Sequence, residues 1–189
     1  SWGPCDDGRL RPDICAPGCQ SNGDYGLTST VAYGQYGVSC GTSMASPVVT
    51  GVCALLLQDW KRLYPAEALP ANAMLKTILI QTAMDLGVIG PDYQSGFGSV
   101  RVHDAVDLLR SGSFRQGILM HGENKAYLVQ VPPGTLSLKA TLAWDDPPGT
   151  VNAVPALVND LDLVAISPSG DRIHYPWTLN PDAPDAASH

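Results

Sequence analysis

From Gly41 to Gln58 the chain carries no charged residue, and within that span Val48 to Leu57 is its most apolar run. A polar, Gly-rich approach from Thr28 to Cys40 leads into it. This layout predicts a loop that delivers Gly41-Thr42-Ser43 to the first turn of a helix running from Ser43 or Met44 to about Leu63. A helix that is apolar on every side is expected to be buried on every side. Gly51 and Ala54 would let neighbouring backbone come close, at some cost in helix propensity. Pro47 is expected at the edge of the first turn, where a missing N–H costs least.

A helix N-terminus presents unpaired N–H groups and the positive end of a dipole, which suits a place where negative charge develops. A serine there can serve as a nucleophile, and its own backbone N–H can help hold the oxyanion of a tetrahedral acyl intermediate. Ser and Thr are also ordinary helix N-caps, so a lone Gly-Thr-Ser would carry little weight. The whole stretch Gly41-Thr42-Ser43-Met44-Ala45-Ser46-Pro47 is more specific, and it resembles the nucleophile motif of the subtilisin-like serine proteases. Arg11-Pro12-Asp13-Ile14-Cys15-Ala16-Pro17-Gly18 and Ser1-Trp2-Gly3-Pro4 match the same family pattern, in the family's order. A rival motif, Gly37-Val38-Ser39-Cys40-Gly41, fits G-x-S-x-G. It needs an apolar strand before its serine and a helix at once after it. Ser29 to Tyr36 is mostly polar or Gly, and the helical pattern starts too late.

The resemblance implies a serine-type endopeptidase that forms an acyl-enzyme on Ser43, with Gly41 and Thr42 shaping the approach. Such a reaction needs a histidine to take the serine's proton and a carboxylate to orient the imidazole. In this family the order is Asp, His, Ser, so both partners are expected upstream of Ser1, and the 189-residue chain alone is expected to be inactive. His103, His121, His174 and His189 all lack the His-Gly-Thr-His context of the family's histidine. The oxyanion-hole amide and the substrate-binding strands are likewise expected upstream, so specificity is unreadable here.

Composition sets the outer bounds. A formal net charge of −7 with 11 Lys+Arg argues against a nucleic-acid surface. The apolar run at Val48 is too short to span a bilayer. The expected partner is a polypeptide substrate, with no nucleic acid and no membrane, and the oligomeric state is left open. No signal-peptide pattern opens the chain; the resemblance implies a secreted, extracellular protein, and five cysteines are compatible with an oxidising compartment. Cys53 falls in the apolar helix as a small core residue. Cys15, Cys19 and Cys40 flank the loops near the serine, and their pairing stays open, a Cys19–Cys40 bridge being one option.

Asp6-Asp7-Gly8 is a turn signal, and Cys19 to Gly37 reads as short strands and surface loops. A second helix is expected from Pro70 to about Ala83, with Met74, Ile78 and Thr82, and Leu75 and Leu79, on its apolar face. A third runs from His103 to Arg110, closed by Ser111-Gly112. The family resemblance covers residues 1–112, the C-terminal portion of a three-layer α/β domain.

After Gly112 the pattern turns to strands at Ile118 to Met120, Ala126 to Val131, Leu136 to Trp144, Leu161 to Ile166 and Arg172 to Tyr175. Gly, Pro and Asp turns separate them. Leu142-Ala143-Trp144-Asp145-Asp146-Pro147 and Leu157 to Leu163 are similar to the β-sandwich following the catalytic domain in some bacterial subtilases. Residues 113–189 are therefore expected to be an all-β, jelly-roll or sandwich domain, truncated at its end. Asn159, Asp160 and Asp162, with Asp145 and Asp146, form an acidic patch. No cofactor is required, but calcium is common in the family, and Asp160 and Asp162 are weak candidates to bind it as a structural ion. A solvated acidic edge explains the patch as well. The alternative to an enzyme is a catalytically dead relative acting as a binding or adhesion module.

Overall fold

The computed structural model describes residues 2–19, 26–151, 153 and 157–189. Ser1 of the first motif and residues 20–25 of the expected loop region lie outside the described residues. The elements run β1 (Leu27–Val31), a 3-10 turn (Ala32–Gly34), β2 (Gln35–Ser39), α1 (Thr42–Leu63), α2 (Asn72–Thr82), α3 (Val102–Ser111), β3 (Ala165–Ile166) and β4 (Ile173–His174).

The core lies between the three helices. Val52, Leu56 and Trp60 of α1 meet Met74, Ile78 and Leu79 of α2 and Ala105 and Leu109 of α3. The α1 residues recur at four-residue spacing, so they share one face. Trp60 also donates its indole N–H to the Ala68 carbonyl at 2.9 Å and lies against Tyr64 and Phe114, with ring centroids 4.4 and 6.2 Å away. At the end of this face Asp59, itself buried, accepts hydrogen bonds from Arg110 of α3 (2.7 Å) and Arg62 (3.0 Å). Their hydrogen bonds, Arg110's foremost, hold the Asp59 carboxyl below its ordinary range. Gly112 closes α3 in the left-handed region, φ 65°, as the sequence predicts.

Two expectations for α1 need correction. Its apolar character is not matched by burial all round: Gly51, Ala54 and Leu55 are exposed, and nothing lies within 4 Å of where a Gly51 Cβ would stand. Two helices can cover only one side of a third. Pro47 lies in the second turn, because α1 begins at Thr42. Its missing N–H therefore removes the helical bond that the Ser43 carbonyl would otherwise accept.

The Arg11–Gly18 segment is laced to the glycine-rich segment 96–100 after α2. Phe97 donates to the Asp13 carbonyl, Cys15 to Gly98, and Val100 to Cys15, at 2.8–2.9 Å. Cys15 and Ser99 form a parallel bridge. A Cβ at Gly96 would overlap the Pro12 and Asp13 carbonyls, so this close approach requires glycine. Asp13 reaches Lys76 of α2 at 2.9 Å, and Ile14 packs on the core.

Residues 113–189 differ from expectation. Among the described residues only β3 and β4 pair, as a two-residue antiparallel ladder, and no sandwich is seen. The predicted strands at 118–120, 126–131 and 136–144 carry no strand pairing. An alternating segment becomes a strand only when a neighbour takes its backbone hydrogen bonds. Instead, 136–144 meets the end of α2, where Lys139 donates to the Ile80 carbonyl (2.8 Å) and Gln81 donates to the Lys139 carbonyl (2.9 Å).

Candidate active site

Ser43 stands exposed in the first turn of α1, and Gly41 is the N-cap, without a side-chain capping bond. Neither Thr42 nor Ser43 is spent as a cap. Met44 and Ala45 donate their N–H groups to the Gly41 carbonyl at 2.9 and 3.3 Å, closing the turn. The N–H groups of Thr42 and Ser43 lie outside the helical ladder, as the first donors of any helix do. Hydroxyl and amide of Ser43 thus come together at the positive end of a 22-residue helix.

The loop before it is fixed from two sides. Gly41 adopts φ 138°, ψ 177°, a region essentially reserved for glycine. Its N–H donates to the Gly18 carbonyl at 2.8 Å. A Cβ at Gly18 would stand 2.7 Å from the Gly41 oxygen and 3.1 Å from Ala45 Cβ. The two matched motifs therefore meet at a glycine–glycine contact. Beside it a disulfide joins Cys19 to Cys40, Cα atoms 4.7 Å apart. Of the open pairings the structure contains this one, while Cys5, Cys15 and Cys53 are free thiols. Cys53 packs against the core, and burial pushes its thiol up.

The bridge closes off the β1–β2 hairpin, paired from Leu27↔Ser39 to Val31↔Gln35. Ser39 of the rival G-x-S-x-G motif is the last residue of β2, in an antiparallel ladder and not at a strand-to-helix elbow.

Among the described residues no histidine contacts Ser43. His103 is on the exposed side of α3, with Asp107 at 3.1 Å; His121 is in an exposed turn, His174 on β4 and His189 at the chain end. Part of the acidic patch is engaged in local hydrogen bonds. Asp146 accepts the Val158 N–H (2.8 Å) and both the backbone and side-chain amides of Asn159 (3.0 and 2.7 Å). The Val158 bond first, then those from Asn159, hold its carboxyl below the ordinary range. Among the described residues no three His, Cys, Asp or Glu side chains gather into a group that could hold a metal ion.

Residues 1–98, which include both motifs that meet at Gly18 and Gly41, match the sequence model of the subtilase family, peptidase S8. The chain belongs to the subtilase family. Its relatives include the serine protease/ABC transporter B family protein tagD of Dictyostelium discoideum, 27% identical over 93% of this subtilase and 13% of its own length. The C5a peptidase of Streptococcus pyogenes is 35% identical over 46% of this chain and 7% of its own. The chain spans 11–13% of the length of the three Dictyostelium tag proteins it matches. Among solved structures, the Clostridium perfringens CspB protease aligns over 60% of this chain and 23% of its own, with 28% identity and a TM-score of 0.47. No helix among the described residues is long and apolar enough to cross a membrane.

Proposed function

We propose that this subtilase chain supplies the nucleophile of a serine endopeptidase acting on polypeptides. The observation that carries the reading is Ser43 itself: exposed in the first turn of α1, with its N–H outside the helical ladder and its motif intact. The hydroxyl attacks the scissile carbonyl carbon and gives its proton to an imidazole. The oxyanion that forms accepts the Ser43 N–H. The imidazole then returns the proton to the leaving amine as the C–N bond breaks, and water hydrolyses the acyl ester by the same steps. The base and its orienting aspartate come from sequence outside these residues. Acyl transfer of this kind requires no cofactor.

Two further elements belong to the same proposal. The exposed Cys19–Cys40 bridge supports an extracellular location, since disulfides persist in oxidising compartments. Leu136 (101% exposed) and Leu138 (57%) alternate with polar residues and stand bare in the present arrangement, which supports a sandwich for residues 113–189 once those strands are partnered.

The test is a fluorophosphonate probe on protein that carries the upstream aspartate and histidine. Labelling is expected in the wild type and absent in Ser43→Ala, with peptide hydrolysis reduced by several orders of magnitude. Equal labelling of the two would refute Ser43 as nucleophile. No labelling of either would favour the binding-module alternative.

A further inference from the structure

We propose that Cys19 and Cys40 are positioning residues for Ser43, whose disulfide fixes the nucleophile loop rather than the fold. The inference rests on the protease reading for its catalytic part and on geometry for the rest. Cys40 immediately precedes Gly41, and Cys19 immediately follows Gly18. The bridge therefore runs alongside the Gly41 N–H to Gly18 carbonyl hydrogen bond, and the two links form a two-point clamp on Cys40 and Gly41, one residue short of the nucleophile. Gly41, in its glycine-only conformation, is the most permissive joint in that loop. With the bridge gone, one hydrogen bond between exposed loops would have to hold it against competing water.

The far side of the clamp is anchored. Gly18 ends the segment whose Asp13 and Cys15 are bonded to residues 97–100, and whose Ile14 packs on the core. The bridge thus references Ser43 to the core through a short covalent path. A general staple would look different. The segment it closes, 21 residues in sequence separation, contributes no residue to the hydrophobic cluster among those described. Its hairpin is almost wholly exposed, and both cysteines are exposed. Little of the core depends on closing this loop, whereas the position of Ser43 depends on it directly.

The experiment compares wild-type protein with Cys19→Ser/Cys40→Ser, both carrying the upstream sequence, and reads peptide hydrolysis, amide exchange and thermal unfolding. Expected is a fall in kcat of roughly ten- to a hundredfold with KM nearly unchanged, as a misplacement of about 1 Å would give. Exchange at Gly41, Met44 and Ala45 should quicken about tenfold or more, with the amides of Val52 and Leu56 unaltered. Unchanged exchange at these three amides, or equal loosening there and in the core, would overturn the proposal. A second variant guards against misfolding: Gly18→Ala keeps the bridge but forces its Cβ against the Gly41 carbonyl, and should produce the same kcat-selective loss. If wild-type protein takes no fluorophosphonate, the protease reading fails, while the exchange comparison still decides the clamp.

Discussion

Two glycines near Ser43 show how little a residue's type says without its backbone. Nothing lies within 4 Å of a Cβ at either Gly41 or Gly51, so neither substitution to alanine creates a clash. Gly41 has φ 138°, and alanine there should cost about 1–3 kcal/mol through backbone strain alone. Gly51 is an exposed helical residue, and alanine there should stabilise by about 0.5–1 kcal/mol. Denaturant midpoints at constant m would show the opposite signs; a shared sign would contradict the assignment. The family signature at Gly41–Pro47 was legible at this scale, because seven adjacent residues carried it. The depth of Pro47 in α1 was not, because the helix begins at Thr42, capped by glycine, a residue that signals an N-cap weakly.

Between elements, the Asp59 brace joins α1 to α3. Its partner Arg110 is 51 residues away, a separation that leaves no local pattern, so the sequence showed only the first charge after an apolar run. Because Arg110 and Arg62 hold its folded pKa below the unfolded value near 4, Asp59 stabilises the fold above that value. The contribution is lost as pH falls through the lower, folded value. Urea unfolding from pH 7 to pH 2 should therefore show an acid limb that flattens in Asp59→Asn, with the variant less stable than wild type near neutral pH. Parallel limbs would remove Asp59 as its source. The helices themselves were legible to within two residues, since a 3.6-residue period is a local property. In 113–189, β3 and β4 fall inside the predicted strands 161–166 and 172–175, whereas 118–120, 126–131 and 136–144 are unpaired, since alternation sets which face is apolar while pairing is decided by distant chain.

Over the whole molecule, stability is concentrated in one place. Leu56 is fully buried where the three helices meet, and Leu56→Ala should cost about 2–5 kcal/mol, measured by chemical denaturation. Outside that cluster the ends of the chain converge on the loop after α2. Tyr93 donates to the Gly8 carbonyl at 3.0 Å, a Cβ on Gly8 would touch Pro181, and Gly90 faces Trp177 and Ser188. Core and chain ends are thus two neighbourhoods, and tryptophans stand in both. Trp60 is 6% exposed among aromatic rings, while Trp2 and Trp177 are 70% and 53% exposed. The chain consequently carries graded lamps: an aqueous quencher such as iodide dims Trp2 and Trp177 most in the native protein and half-buried Trp144 less, and reaches Trp60 only when the three helices part.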